Sequence, residues 1–153
     1  MESQKQYTPK FSFEFYPPKT PEAIGKLQTT QEELAKMKPD FFSVTFGAGG
    51  STRDLTFETV MDIHNKTGIE AAPHISCIGS QTGEIKAILD KYIENGIKRI
   101  VALRGDLPSG SVGFGQFRYA NELIEFIRKE TNDHFHIEVA AYPEFHPQAA
   151  NPQ

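Results

Sequence analysis

The apolar positions change period repeatedly along the chain. Residues 11–16 (FSFEFY) alternate apolar and polar and are closed by Pro17 and Pro18, which predicts a short strand. Thr20, Pro21 and Glu22 then supply an N-cap, a proline at the first helical position and an early acid. A helix starts there, with Ile24, Leu27, Leu34 and Met37 as its apolar face and Pro39 as its stop. Residues 41–46 form a second strand, ended by the glycine-rich stretch 47–50. Ser51 caps a second helix running to about Lys66, and Gly68 is its C-cap. Residues 69–75 make a third strand, 81–95 a third helix and 98–103 a fourth strand. A Gly/Pro-rich loop over 104–116 leads to a fourth helix at about 118–129, and 136–142 is a fifth strand. Nothing after Pro143 has the pattern of another helix.

Strand and helix alternate without exception, which implies a parallel sheet with right-handed crossovers. Strand starts recur at roughly 30 residues, the length of a βαβ unit. Two architectures fit: an open doubly wound sheet of five strands, or the first part of a (β/α)8 barrel, whose full length is about 250 residues.

Composition narrows the functions. The 153 residues are 38% hydrophobic and 24% charged, ordinary for a globular chain. A net charge of -4 with scattered Lys and Arg argues against a nucleic-acid partner. One cysteine, Cys77, excludes an intrachain disulfide and suits a reducing compartment. The polar first ten residues have no apolar segment of a signal peptide, and no run approaches the roughly 20 apolar residues of a membrane span. The expectation is a cytoplasmic protein with no membrane partner.

The polar residues collect at the strand ends. The second strand delivers Thr45, the third His74, the fourth Arg104-Gly105-Asp106, and the fifth Tyr142 followed by Glu144 and His146. In parallel α/β folds these ends form the active-site face. Glu14 adds a carboxylate inside the first strand, on the face shared by Ser12 and Tyr16. A lone strand glutamate is ordinarily a solvated outer-face residue. Facing a barrel interior, it would instead be desolvated into a general acid usable near neutral pH. His74 after Pro73 equally suits a capped loop histidine, and Arg104 with Asp106 a local ion pair. The glycines at 47–50 do not match a phosphate-binding loop, and no G-x-G-x-x-G opens a helix after the first strand. The five histidines lack the spacing of a zinc site, so no metal is expected, and Cys77 has no positioned partner as a nucleophile.

The strings say more than the periods. FSFEFYPPK at 11–19, SVTFGAGGSTR at 43–53, AAPH at 71–74, IVALRGD at 100–106 and AAYPE at 140–144 with His146 follow one another in order. As an ordered set, from about Phe11 to about Gln148, this series closely resembles the bacterial type of methylenetetrahydrofolate reductase. The resemblance implies an α/β fold of the (β/α)8 TIM-barrel family, with residues 1–153 supplying about the first five β/α units of one FAD-binding barrel. It implies FAD at the C-terminal strand ends, reduced by NADH or NADPH, which then leaves. Methylenetetrahydrofolate takes the vacated place and receives hydride from flavin N5, giving methyltetrahydrofolate. Glu14 matches the family's catalytic glutamate, which helps protonate the folate so that its five-membered ring opens. Asp106 matches the aspartate beside the flavin's pyrimidine edge, where negative charge stabilises a cationic intermediate. Thr45, His74, Arg104, Gly105, Asp106, Tyr119, Ala120, Tyr142 and His146 match positions that contact FAD.

Five barrel strands would leave two open sheet edges, which invites pairing with another chain, so a homo-oligomer is expected. Two functions stay open: an oxidoreductase active once the remaining strands are supplied, and a non-catalytic, flavin-binding or oligomerising half-barrel.

Overall fold

Nine elements alternate along the chain in the computed structural model, which describes residues 8–46, 50–106 and 115–142, with backbone alone at 50–52. They are β1 (Ser12–Phe15), α1 (Pro21–Ala35), β2 (Phe41–Val44), α2 (Gly50–Thr67), β3 (Ala71–Ser76), α3 (Thr82–Glu94), β4 (Arg99–Leu103), α4 (Ala120–Thr131) and β5 (His136–Val139). All neighbouring strands are parallel, and the sheet order is β1-β2-β3-β4-β5.

That order separates the two candidate architectures. A doubly wound sheet reverses its strand order at a switch point and carries helices on both faces. Here the order never reverses, and the apolar helix residues meet one sheet face. Phe15, Phe42, Val44, Ala71, Ile75, Ile100 and Ala102 pack with Val60 and Ile63 of α2, Ile85 and Leu89 of α3, and Leu123 and Ile127 of α4. The other strand positions face a concave, open side. This is the layout of consecutive β/α units in a barrel wall.

The helix ends follow local chemistry. Thr20 has extended backbone, its Oγ1 accepts from the Ala23 amide at 3.2 Å, and Pro21 opens α1. At α3, the Glu84 carboxylate accepts from the Gln81 amide at 3.0 Å. Gly68 after α2 has φ of +67°, the left-handed geometry expected of its C-cap.

Several expected boundaries and faces are corrected. The second helix begins at Gly50, so Ser51 lies inside it rather than capping it. β5 stops at Val139 instead of 142, because its partner β4 itself ends at Leu103, one residue past the last paired position. Of the face expected for α1, Leu27 and Leu34 pack against the core while Ile24 is 42% and Met37 60% exposed. The helix ends at Ala35, which leaves Met37 beyond it. Between the two leucines the helix turns Gln31 inward to 2% exposure, and its Nε2 has no hydrogen-bond partner among the described residues. Such an unsatisfied amide costs about 1–3 kcal/mol, which the flanking leucines offset. No described helix is long and apolar enough to cross a membrane.

Ile100, fully buried in the middle of β4, is the central test of this packing. Ile100→Ala is expected to lower the free energy of unfolding by about 2–5 kcal/mol, read from the urea midpoint at unchanged slope.

Candidate functional site

Strand alternation places a second set of side chains on the concave side. Ser12 and Glu14 from β1, Phe41 and Ser43 from β2, His74 and Ser76 from β3, Val101 and Leu103 from β4, and Glu138 from β5 line one open cavity of about 870 Å³. Thr45, Phe46, Gly105 and Asp106 at the strand ends and Arg53 from α2 complete its upper wall. The volume is typical of a site for a small molecule or cofactor.

Small residues on this face let long ones reach across it. Glu14 is in register with Ser43 of β2, and its carboxylate extends past that short side chain to His74 on β3, Oε2 to Nε2 3.3 Å. Arg99 of β4 similarly stacks on Phe41 of β2 at 4.8 Å, across the β3 strand that carries Ala72. Arg99 is buried, and both neighbouring carboxylates compensate it: its Nε donates to Glu70 at 2.7 Å and its Nη1 to Glu138. His136 lies 3.2 Å from the same Glu138 oxygen. Glu138 and Phe41 carry this ionic cluster to the cavity wall, at the end away from the strand ends. A buried pair broken on one side typically costs about 3–5 kcal/mol, so Arg99 and its two carboxylate partners act as a unit.

The upper rim is tied down by backbone carbonyls. The Thr45 amide donates to Phe15 at 2.9 Å, and its carbonyl accepts from the buried Thr56 hydroxyl of α2 at 2.9 Å, which fixes the end of β2. The Arg104 carbonyl accepts from the Ile78 amide at 2.9 Å and the Ser76 hydroxyl at 3.0 Å, so the segments after β3 and β4 are joined. Gly105 follows with φ of +80°, and a Cβ there would stand 1.9 Å from Ser76 Oγ. Only glycine satisfies both conditions.

The sequence-derived site residues fall into two groups. Glu14, Thr45, His74, Gly105 and Asp106 line the one cavity. Arg104, Tyr119 and Ala120 are instead gathered at the start of α4, where Arg104 Nε donates to the Arg118 carbonyl at 3.0 Å. Among the described residues Arg104 makes no ion pair with Asp106, the alternative that the sequence left open. The amides of Arg118 and Tyr119 already donate to the Glu122 carboxylate, at 2.6 and 3.3 Å. Tyr142 is exposed past the end of β5, and His146 lies outside the described residues.

Arg53, Ser76, Arg99 and Glu138 were not singled out from the sequence. Ser76 and Glu138 were legible in principle, by period 2 from His74 and along β5. Arg53 was not, since a helix residue reaches this cavity only through tertiary packing. Its guanidinium lies 5.4 Å over Phe46, donates to Ser80 Oγ at 3.2 Å and pairs with Glu84 at 3.7 Å.

Burial sets the protonation of the titratable groups. It pushes His74 below the ordinary histidine value of 6.5, against the opposing charge of Glu14, so the ring is neutral at pH 7. It pushes the Cys77 thiol up, and Sγ faces the carbonyls of Arg104 and Tyr119 on the helix side of the sheet. Cys77 is therefore a packing residue with little thiolate.

Comparisons with known proteins agree with one another. A family model described as methylenetetrahydrofolate reductase matches residues 1–153. The chain is 47% identical over 142 residues to the 5,10-methylenetetrahydrofolate reductase of Escherichia coli (strain K12), covering 93% of this chain and 47% of that protein. Identity is 45% to the enzyme of the same name from Buchnera aphidicola subsp. Schizaphis graminum, with the same coverage. It is 40% to methylenetetrahydrofolate reductase (NADH) 1 of Zea mays, over 91% of this chain and 24% of that protein. The chain thus spans about half the length of these bacterial relatives.

Two measurements check the geometry. Gly105→Ala should destabilise by more than about 1 kcal/mol, and adding Ser76→Ala should restore part of that loss but leave the backbone strain. Additive effects in this double-mutant cycle would refute the close approach. The second concerns pH. Folded His74 resists the proton that the unfolded chain takes up near 6.5, so stability is present above that pH and lost as pH falls through it. The urea midpoint should drop between pH 7.5 and 5.5, and drop less in His74→Gln.

Proposed function

The chain belongs to the methylenetetrahydrofolate reductase family, and from that premise we propose that residues 1–153 form the flavin-binding, acid-bearing part of a reductase acting on 5,10-methylenetetrahydrofolate. The observation that supports this most directly is the meeting of Glu14, Thr45, His74 and Asp106 in one cavity, from four successive strands.

The residues present suit FAD. Thr45 offers a hydroxyl and His74 a ring nitrogen on the cavity wall, while Arg104 offers a fork of donors at the start of α4, with Tyr119 as a flat apolar neighbour. When bound, FAD accepts hydride from NADH or NADPH and passes it to the folate. The names of the Zea mays and Oryza sativa relatives carry NADH, which favours that reductant. The protein's own part is proton and charge management. Glu14 reaches from the first strand into the open cavity, where its carboxyl serves as the acid that protonates the folate. Asp106, exposed at the rim, supplies negative charge opposite a developing cation.

One observation favours a narrower activity for this chain alone. The Glu14 side chain is 51% exposed, because the concave face is open. A carboxyl so exposed to water lacks the water-excluded enclosure of a closed catalytic site. Flavin binding without folate turnover is therefore the second reading. The homo-oligomer expected from the sequence remains part of the proposal, since β1 and β5 each have one edge without a strand partner among the described residues.

Anaerobic mixing experiments test this reading. The chain should retain FAD through gel filtration, and NADH should bleach it. Where the folate half-reaction is observed, Glu14→Gln should slow it by about 10²–10⁴-fold while leaving flavin reduction by NADH nearly unchanged. Equal loss in both half-reactions would refute the acid role, and loss of flavin on the column would refute the flavin site.

A further inference from the structure

Among the described residues, Glu14 and His74 form the one side-chain contact between two residues expected at the site, and they are unequal partners. The His74 side chain is 8% exposed and that of Glu14 is 51% exposed. The ring is fixed in the wall of the sheet, in register with Val101 of β4, while the carboxylate extends into the cavity. They sit on strands two apart, and the short Ser43 on β2 between them, in register with both Glu14 and Ala72, leaves the gap the carboxylate crosses. Oε2 stands 3.3 Å from Nε2, within reach of the ring but not aligned as a hydrogen bond.

We propose that His74 is the positioning residue for Glu14: it anchors one carboxyl oxygen and leaves the other aimed at the ligand. This rests on the reading of Glu14 as the acid of the site. The chemistry of a neutral imidazole suits the task. A small turn of the exposed Glu14 side chain brings the pair into line: with the proton on Nε2 the ring can then donate to a carboxylate, and with the proton on Nδ1 its Nε2 can accept from a carboxylic acid. The contact therefore survives both protonation states of Glu14, so the acid can lose and regain a proton without losing its place. A lysine or arginine in the same position would hold the carboxylate alone. Burial disfavours the imidazolium and keeps the ring in this two-way form.

The other charged groups around the cavity do not compete for this contact. Arg53 of α2 is engaged with Ser80 and Glu84, and Arg99 of β4 with Glu70 and Glu138. β2 brings only hydroxyls, from Ser43 and Thr45. Asp106 past β4 and Glu138 of β5 are the remaining acids on this wall.

The test uses the chain alone, without flavin or folate. NMR follows the Glu14 carboxyl carbon and side-chain couplings together with the His74 ring across pH 4–9. In the wild type, Glu14 should hold one rotamer through its titration, and its carbon should register a second inflection at the His74 midpoint. His74→Leu should release Glu14 to rotamer averaging and remove that inflection. His74→Gln should restore the single rotamer without the inflection, because an amide also both donates and accepts. Unchanged Glu14 couplings in His74→Leu, with the amide shifts of Leu123 and Ile127 in place as a check of folding, would overturn the proposal. If His74→Leu does not fold, Glu14→Gln decides from the other side: the His74 midpoint should fall further, and a constant midpoint would overturn the coupling. A chain that shows the coupling but retains no FAD would leave this inference standing and remove the enzymatic reading.

Discussion

The helices lay their apolar stripes on the same face of a parallel sheet, and that burial decides where every other strand side chain points. Ile75, Ile100 and Ala102 are locked under α2, α3 and α4 with no measurable exposure. A strand cannot slip by one residue without exchanging that set for His74, Arg99 and Val101, which would put charge into the core. The polar wall of the cavity is thus fixed by hydrophobic packing on the opposite side of the sheet. Its precision comes from residues that never touch a ligand.

Around the cavity, charge is organised in two layers with different roles. The lower layer is self-sufficient: Arg99 stands between Glu70 and Glu138, and the stack on Phe41 takes up its remaining surface. The upper layer is not compensated in the same way. Glu14 and Asp106 face the opening with a neutral histidine as the nearest titratable neighbour of the first. An acidic mouth above a neutralised floor favours a ligand that develops positive charge, which matches the proposed folate chemistry.

Much of this was legible in the sequence, and the failures have physical causes. Strand identity followed from period 2, and the residues at the strand ends followed from the parallel topology, which is why Thr45, His74, Gly105 and Asp106 were expected on one face. The placement of Glu14 was not decidable from its strand, because alternation gives two faces without saying which one the helices cover. Arg104 shows a different limit. Its position after β4 placed it correctly at the rim, yet its guanidinium turns to the Arg118 carbonyl and leaves the cavity wall to its glycine neighbour. Arg53 and Gln31 mark the remaining gap: both are helical polar residues drawn inward by contacts far away in the chain, which no local pattern encodes.

The Gly105–Ser76 contact has a mechanical meaning. The segments after β3 and β4 are interlocked, backbone against hydroxyl, with the Arg104 carbonyl clasped by Ser76 and Ile78. Asp106 is the next residue along, so it cannot shift without dragging the end of β3 with it. Any ligand that displaces this carboxylate must deform the wall that holds His74, two residues before Ser76. The rim of the site thus joins the ends of the third and fourth strands, and the imidazole's contact with Glu14 leads on from there to the first.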